Sequence, residues 1–310
     1  MNNHLLPYPY NQTTSSPVIS CGKLGQFLYE THLRLRQRQP QPPPAGLIRV
    51  VCISDTHNST PEVPNGDLLI HAGDLTKQGT FAELQAQINW LASLPHPCKV
   101  VIAGNHDLVL DPDFCRRFPS RLSQDDSKPS LLDSLDWMDI IYLQDRSVTL
   151  TFPHGRRLNV YGSPRTPEFG IWAFQYPPIR DTWTGRIPDD TDILVLHGPP
   201  SLYCDVERKG DGYLLRELRR VKPQLSVFGH VHDGYGVNRL VHDRVQSAQD
   251  EISLHRSGLY AIFRMSFWMT VAWVRMLLGL PQPPETILVN AAIAPGAKIR
   301  DQKMPVVLEM

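Results

Sequence analysis

The sequence has no surplus of either charge: 31 Lys and Arg stand against 31 Asp and Glu in 310 residues. A dedicated nucleic-acid binder carries a basic excess, so nucleic acid is not an expected partner. Cysteine is scarce. The five (Cys21, Cys52, Cys98, Cys115 and Cys204) are odd in number, widely spread and form no CxxC pair. This suits buried thiols in a reducing compartment better than a disulfide framework. The first residues, MNNHLLPYPYNQTTSS, lack the basic-then-apolar order of a secretory leader. A cytoplasmic location is therefore expected. There is no internal repeat, and only one long apolar run, at 259–280.

What is present changes character along the chain. Residues 1–46 are polar and end in RQRQPQPPPAG. Such a proline run favours an extended, unpacked chain. It is expected to be a flexible extension, with a short helix at 22–37. From residue 47 short apolar runs recur: LIRVVCI (47–53), DLLIHA (67–72), CKVVIA (98–103), DILVLH (192–197) and QLSVFG (224–229). Runs this short and rich in Val, Ile and Leu read as strands buried on both faces. FAELQAQINWLASL (81–94) and DGYLLRELRRV (211–221) carry helical stripes. VTLTF and RLNVYG flank PHGR as a hairpin, and TILVNAAI and PVVLEM are later strands. The expectation is one α/β domain over 47–310, with an apolar helical insertion at about 241–285.

Polar residues track the strand ends. SDTH places Asp55 and His57 after the first strand, and HAGD places Asp74 after the second. AGNHD places Asn105, His106 and Asp107 after the third. His197 ends the fourth run, and FGHVHDG places His230 and His232 after the fifth. In open α/β sheets, sites form outside the carboxyl ends of the strands. Asp55, His57, Asp74, Asn105, His197, His230 and His232 are too many for one closed zinc, which takes four ligands. Mixed Asp, His and Asn donors suit Zn, Fe or Mn better than Ca or Mg. Two divalent ions in a catalytic centre are expected. Two carboxylates and four neutral imidazoles offset their charge only in part, leaving a positive site for an anionic substrate.

At these blocks the sequence resembles the calcineurin-like metallophosphoesterases, whose pattern is D-x-H, G-D, G-N-H-[D/E], an isolated H and G-H-x-H. HAGD, LHGPP, GHVHDGYG and GSPRTPEFGIWAFQY resemble a group of metallophosphoesterase-domain proteins with vertebrate and fungal members. The resemblance implies a four-layer αββα sandwich of two mixed sheets. It implies Asp55, His57 and His232 on a first metal, Asn105, His197 and His230 on a second, and Asp74 bridging them. It also implies hydrolysis of a small-molecule or nucleotide phosphoester, with a lean towards phosphodiesters, by in-line attack of a hydroxide shared by two metals. His106 is the expected proton donor to the leaving group, with Asp107 orienting it. Arg165 is the candidate phosphate-binding residue. His71 reads as a support, and Trp172 and Phe174 as packing. The alternative function is a weakly active nucleotide-binding or scaffold protein, peripheral to a membrane. Metallo-β-lactamase and amidohydrolase patterns fit worse, since Gly234 and Tyr235 follow the H-x-H and Asp55-Thr-His57 follows the first strand.

LYAIFRMSFWMTVAWVRMLLGL (259–280) is long enough to span a bilayer. However, Arg264 and Arg275 at about 2.5–3.5 kcal/mol each roughly cancel its Leu, Ile, Phe and Val at about 0.3–0.6 kcal/mol each. A span would also separate the ligands from the strand at 286–293. Packing, a homodimer contact or a peripheral membrane contact remain the readings of this segment.

Overall fold

Arg49–Ile53 (β1), Leu68–Ala72 (β2) and Cys98–Ile102 (β3) pair in parallel, with Ile53 opposite His71 and Ala72 opposite Ile102. That register brings all three strands to one edge at the same level. In this computed structural model the described residues are 17–36, 46–123, 134–206, 209–254, 258–298 and 300–310. The proline-rich run at 37–45 and residues 1–16 lie outside them.

The chain divides into two compact units. The larger comprises Pro44–Asn238 and Ile287–Met310, and the smaller comprises residues up to Pro43 together with Arg239–Thr286. In the larger unit, Ile141–Tyr142 (β4) extends the first sheet beside β3, and Val306–Glu309 (β13) pairs antiparallel on the far side of β1. The second sheet runs through Arg146–Thr151 (β5), Arg157–Ser163 (β6), Ile193–Leu196 (β9), Leu225–Phe228 (β10), Glu285–Asn290 (β12) and Gly236–Val241 (β11), in the spatial order β11-β12-β10-β9-β6-β5. β5 and β6 form the antiparallel hairpin; β6, β9, β10 and β12 are parallel. Both sheets are therefore mixed, in an α/β fold.

The apolar runs become a core between the sheets. Val50, Leu68, Ile70, Val100 and Ile102 meet Val160, Ile193, Val195, Val227 and Val289. The opposite face of the first sheet, through Val51, Leu69 and Val101, packs on Leu84, Ile88 and Leu91 of Phe81–Ser93 (α2) and on Phe114 of Pro112–Arg117 (α3). α2 starts at a capping box in which Thr80 and Glu83 satisfy each other's amides. Gly212–Val221 (α4) is capped by Asp211 and buries Leu214, Leu215 and Leu218. The pair Thr166–Pro167 (β7) and Gln175–Tyr176 (β8) ties a loop between β6 and β9.

The smaller unit packs three helices: Pro17–Arg36 (α1), Arg244–Ser253 (α5) and Gly258–Leu277 (α6). Its core is Val245, Ala248 and Ile252 with Ala261, Met265 and Met269, and Leu28 and Tyr29 of α1 pack against it. Tyr29 donates to Gln246. The helix expected near 22–37 and the helical insertion expected at about 241–285 meet in this unit. The helix near 22–37 has an apolar partner, but that partner lies more than 200 residues away and is invisible to local pattern. Among the described residues no helix is long and apolar enough to cross a membrane. α6 turns Tyr260, Phe263, Phe267, Val274 and Leu277 to the surface instead, and Arg264 pairs with Glu251 at 2.6 Å.

Candidate metal centre

Four of the seven strand-end residues enter the site through a sharp change of direction. Asp55, His57, Asp74 and His230 all have φ between 45° and 63°, a left-handed conformation that costs a residue with a side chain about 1–3 kcal/mol. The turns bring the strand ends into contact. Asp55 N donates to Gly73 O at 2.9 Å, and Gly229 N to His197 O at 2.9 Å. Two glycines sit here for lack of room. A methyl group on Gly229 would strike the Asp55 carboxylate and Ser54, and one on Gly104 would strike Asp74.

Two clusters result, Asp55 with His57 and His232, and Asp74 with His197 and His230. Within each, the donor atoms lie within 4.8 Å of one another. Asp74 stands between them, with Oδ2 3.3 Å from His197 Nε2 and 3.8 Å from His57 Nε2. Asn105 Oδ1 adjoins His197 Nε2 at 3.1 Å. All seven residues expected as ligands are therefore brought together.

The second ring nitrogen of three histidines is tied to a backbone carbonyl. His57 Nδ1 meets Thr76 O at 3.0 Å, His197 Nδ1 meets Ala72 O at 2.9 Å, and His232 Nδ1 meets Pro295 O at 2.9 Å. A carbonyl only accepts, so each Nδ1 is protonated and each neutral ring presents an Nε2 lone pair. Those lone pairs face other acceptors. His57 Nε2 is 3.5 Å from His232 Nε2, and His232 Nε2 is 3.1 Å from Asp55 Oδ1. Only a proton or a metal cation between them makes such an arrangement favourable.

The electrostatics agree. Burial pushes the Asp55 and Asp74 carboxyls up, but the surrounding histidines outweigh it and hold both well below the usual range. Burial pushes His197 down, yet Asp74 and Asp55 raise it to about 9. His230, lowered by burial and by His197 to about 4, stays neutral. A buried set that draws a proton onto His197 at neutral pH accepts positive charge, and divalent ions with nitrogen and oxygen ligands fit it.

The cleft over these groups measures about 350 Å³, and its walls include His106, Phe169 and Trp172. His106 N donates to Asp74 Oδ1 at 2.7 Å, and its Nδ1 meets Lys77 O at 2.9 Å. Asp107 does not orient His106, contrary to expectation. The Asp107 side chain turns the other way and accepts from Leu75 N, Thr76 N, Thr76 Oγ1 and Gly104 N at 2.8–3.2 Å. Adjacent residues in a turn diverge, and Asp107 stitches the loops after β2 and β3 together. Burial and the Asp74 charge push its pKa up to about 6 against those donors.

Arg165 is also placed elsewhere. Its guanidinium pairs with Asp145 at 2.7 Å, and Arg186 reaches the same carboxylate at 3.8 Å. It is not part of the cleft wall, because a partly buried carboxylate outcompetes a distant anion for it. His71 is fully buried and meets Thr56 Oγ1 at 3.0 Å, a support as expected. Trp172, expected as packing, faces the cleft, whereas Phe174 is buried. The anchoring carbonyls of Thr76, Ala72, Lys77 and Pro295 carry no sequence signal, since every residue has one.

Paired Asp and His clusters at the carboxyl ends of strands from two mixed sheets make this an α/β protein with two candidate metal-ligand groups. A family model described as calcineurin-like phosphoesterase matches residues 48–234, more than half of the chain, and the chain belongs to that family. Among similar proteins, a "Probable rhamnogalacturonate lyase C" of Emericella nidulans is 41% identical over 93% of this chain and 26% of its own length. The human "Metallophosphoesterase domain-containing protein 1" is 41% identical over 63% of this chain and 64% of its own. "UPF0046 protein K07C11.7" of Caenorhabditis elegans is 35% identical over 61% and 65%. The chain thus spans a quarter of the fungal relative and less than two thirds of the others.

Proposed function

We propose that the protein is a metal-dependent phosphodiesterase with a dinuclear centre. The observation that carries this is the meeting of the two clusters under one cleft, with Nε2 lone pairs and carboxylates facing one another (His57 Nε2 to His232 Nε2, 3.5 Å). Asp55, His57 and His232 would hold one ion, and His197, His230 and Asn105 the other, with Asp74 between. Two such ions supply an activated water and neutralise phosphate charge. The chain's residues do the rest. The carbonyl-anchored histidines keep their geometry without reorganisation. His106, at the rim, gives a proton to the departing ester oxygen. Mn, Fe and Zn all suit the donor set. The substrate is a small-molecule or nucleotide phosphoester, consistent with the cleft volume.

The lyase named for the fungal relative is not carried over, since the match covers a quarter of that protein. Hydrolysis of bis(p-nitrophenyl) phosphate against p-nitrophenyl phosphate tests the proposal, on protein of measured metal content. The diester should turn over faster. Turnover of the monoester alone would refute diesterase specificity, and no turnover with Mn, Fe or Zn would refute the enzyme.

One observation favours a second role for the smaller unit. Tyr260, Phe263, Phe267 and Leu277 are 56–83% exposed on an α6 without acidic residues. Aromatic side chains on a helix with basic residues suit a membrane surface. Peripheral membrane contact is the proposed use, and a homodimer contact is the outcome that would replace it.

A further inference from the structure

The segment GSPRTPEFGIWAFQY has no part in the ligand clusters, yet it delivers Trp172 to the one group proposed to move a proton. The Trp172 ring lies on His106, with centroids 4.0 Å apart and planes 30° from parallel. The loop carrying it is fastened beside the ligands. Ala173 N donates to Asn105 O at 3.2 Å, Phe174 N to Asp111 Oδ2 at 2.7 Å, and Trp172 N to Gln175 Oε1 at 3.2 Å. Phe174 takes a φ of 58° to allow this. The Arg121 guanidinium lies over the same indole at 4.6 Å and is tied to Ile171 O at 2.8 Å. On its other contacts, His106 meets Lys77 O through Nδ1 and the His57 ring edge-on at 4.8 Å.

We propose that Trp172 is a positioning residue that holds the His106 ring so that Nε2 meets the leaving oxygen. This rests on the proposed role of His106 as proton donor. As water oxygen bonds to phosphorus, the ester P–O bond breaks and its electron pair leaves on the ester oxygen. With Nδ1–H held by Lys77 O, the ring donates from Nε2 as the doubly protonated imidazolium. Its Nε2 proton joins that oxygen to give the alcohol, and solvent takes the attacking water's proton and returns one to the ring. A half-exposed imidazole with one carbonyl anchor can still swing. The indole face removes that freedom, and a misplacement of about 1 Å at a reacting group costs about 10²-fold.

The test uses metal-loaded wild type, Trp172→Ala, Trp172→Phe and His106→Ala on methyl aryl phosphates of rising leaving-group pKa. Trp172→Ala should lose roughly 10–100-fold in kcat on the poorest leaving group and little on p-nitrophenolate. KM and metal content should hold, and Trp172→Phe should recover most of the loss. In metal-stripped protein, carbethoxylation of His106 should quicken in Trp172→Ala but not in Trp172→Phe. A loss uniform across the series, or confined to KM, overturns the inference. If His106→Ala itself shows no dependence on leaving group, the proton-donor reading fails. If His106→Ala shows it and Trp172→Ala does not, only the role of Trp172 fails.

Discussion

His57 and His232 come from loops 175 residues apart, yet their Nε2 atoms stand 3.5 Å apart, each ring held from behind by a carbonyl 2.9–3.0 Å from Nδ1. Two lone pairs aimed at each other are unfavourable without a cation between them, so the fold stores a demand for positive charge at this point.

Asp74 stands between the clusters, so Asp74→Ala should remove metal rather than slow one step. Even partners that only support metal ligands cost about 10–100-fold when lost, and the loss here should exceed about 100-fold. Metal content per chain by mass spectrometry checks it. A variant that keeps full metal would show that Asp74 is not a ligand.

His106→Ala should keep its metal, because the His106 side chain belongs to neither cluster. Its rate should fall by about 10²–10⁴-fold on esters with poor leaving groups and far less on p-nitrophenyl esters. Equal losses on both would contradict proton donation.

Metal-free protein should lose stability as pH rises from about 6.5 to about 9. His197 is raised from 6.5 to about 9 by Asp74 and Asp55 against burial, and His232 moves the same way. The folded state thus binds these protons more tightly than the unfolded chain. Their contribution is complete below 6.5 and disappears as pH passes about 9. The thermal midpoint of metal-stripped protein should fall across that window, and a rise would contradict the electrostatic picture.

Gly229→Ala places a methyl group against Asp55 and Ser54. Overpacking of this kind costs about 1–3 kcal/mol, and here it displaces a candidate ligand as well. Urea unfolding and metal content should both register the change. Wild-type values for both would mean that the close approach at Gly229 is not required.

Phe263→Glu with Phe267→Glu alters only exposed side chains of α6. If that face meets a membrane, the wild type should float with phosphatidylserine-containing vesicles and the double variant should not, at equal thermal stability. Vesicle binding absent from both, with a concentration-dependent dimer in the wild type alone, would assign the face to a second copy.

Much of this was legible in the sequence because buried parallel strands read as plain apolar runs. VVCI, LLIHA and CKVVI became β1, β2 and β3 within two residues of expectation, whereas the division into two mixed sheets was implied by the family resemblance and not by the runs. The seven strand-end residues were legible because their types, not their geometry, mark them. What failed did so for physical reasons. The left-handed turns at Asp55 and His230 leave no mark in residue type. Asp107 and Arg165 were named by chemistry alone, and each found a closer partner in Thr76 and Asp145. Trp172 looks like core until the loop's tie to Asn105 O turns it into the cleft. The helix α1 is bound through Leu28 and Tyr29 to residues beyond 240, a distance no local periodicity reports.

The central claim is tested most directly by titrating Mn into metal-stripped protein while following hydrolysis of bis(p-nitrophenyl) phosphate. Activity should rise with metal and level off at two equivalents per chain. Activity complete at one equivalent, or absent at every ratio with Mn, Fe and Zn alike, would contradict it.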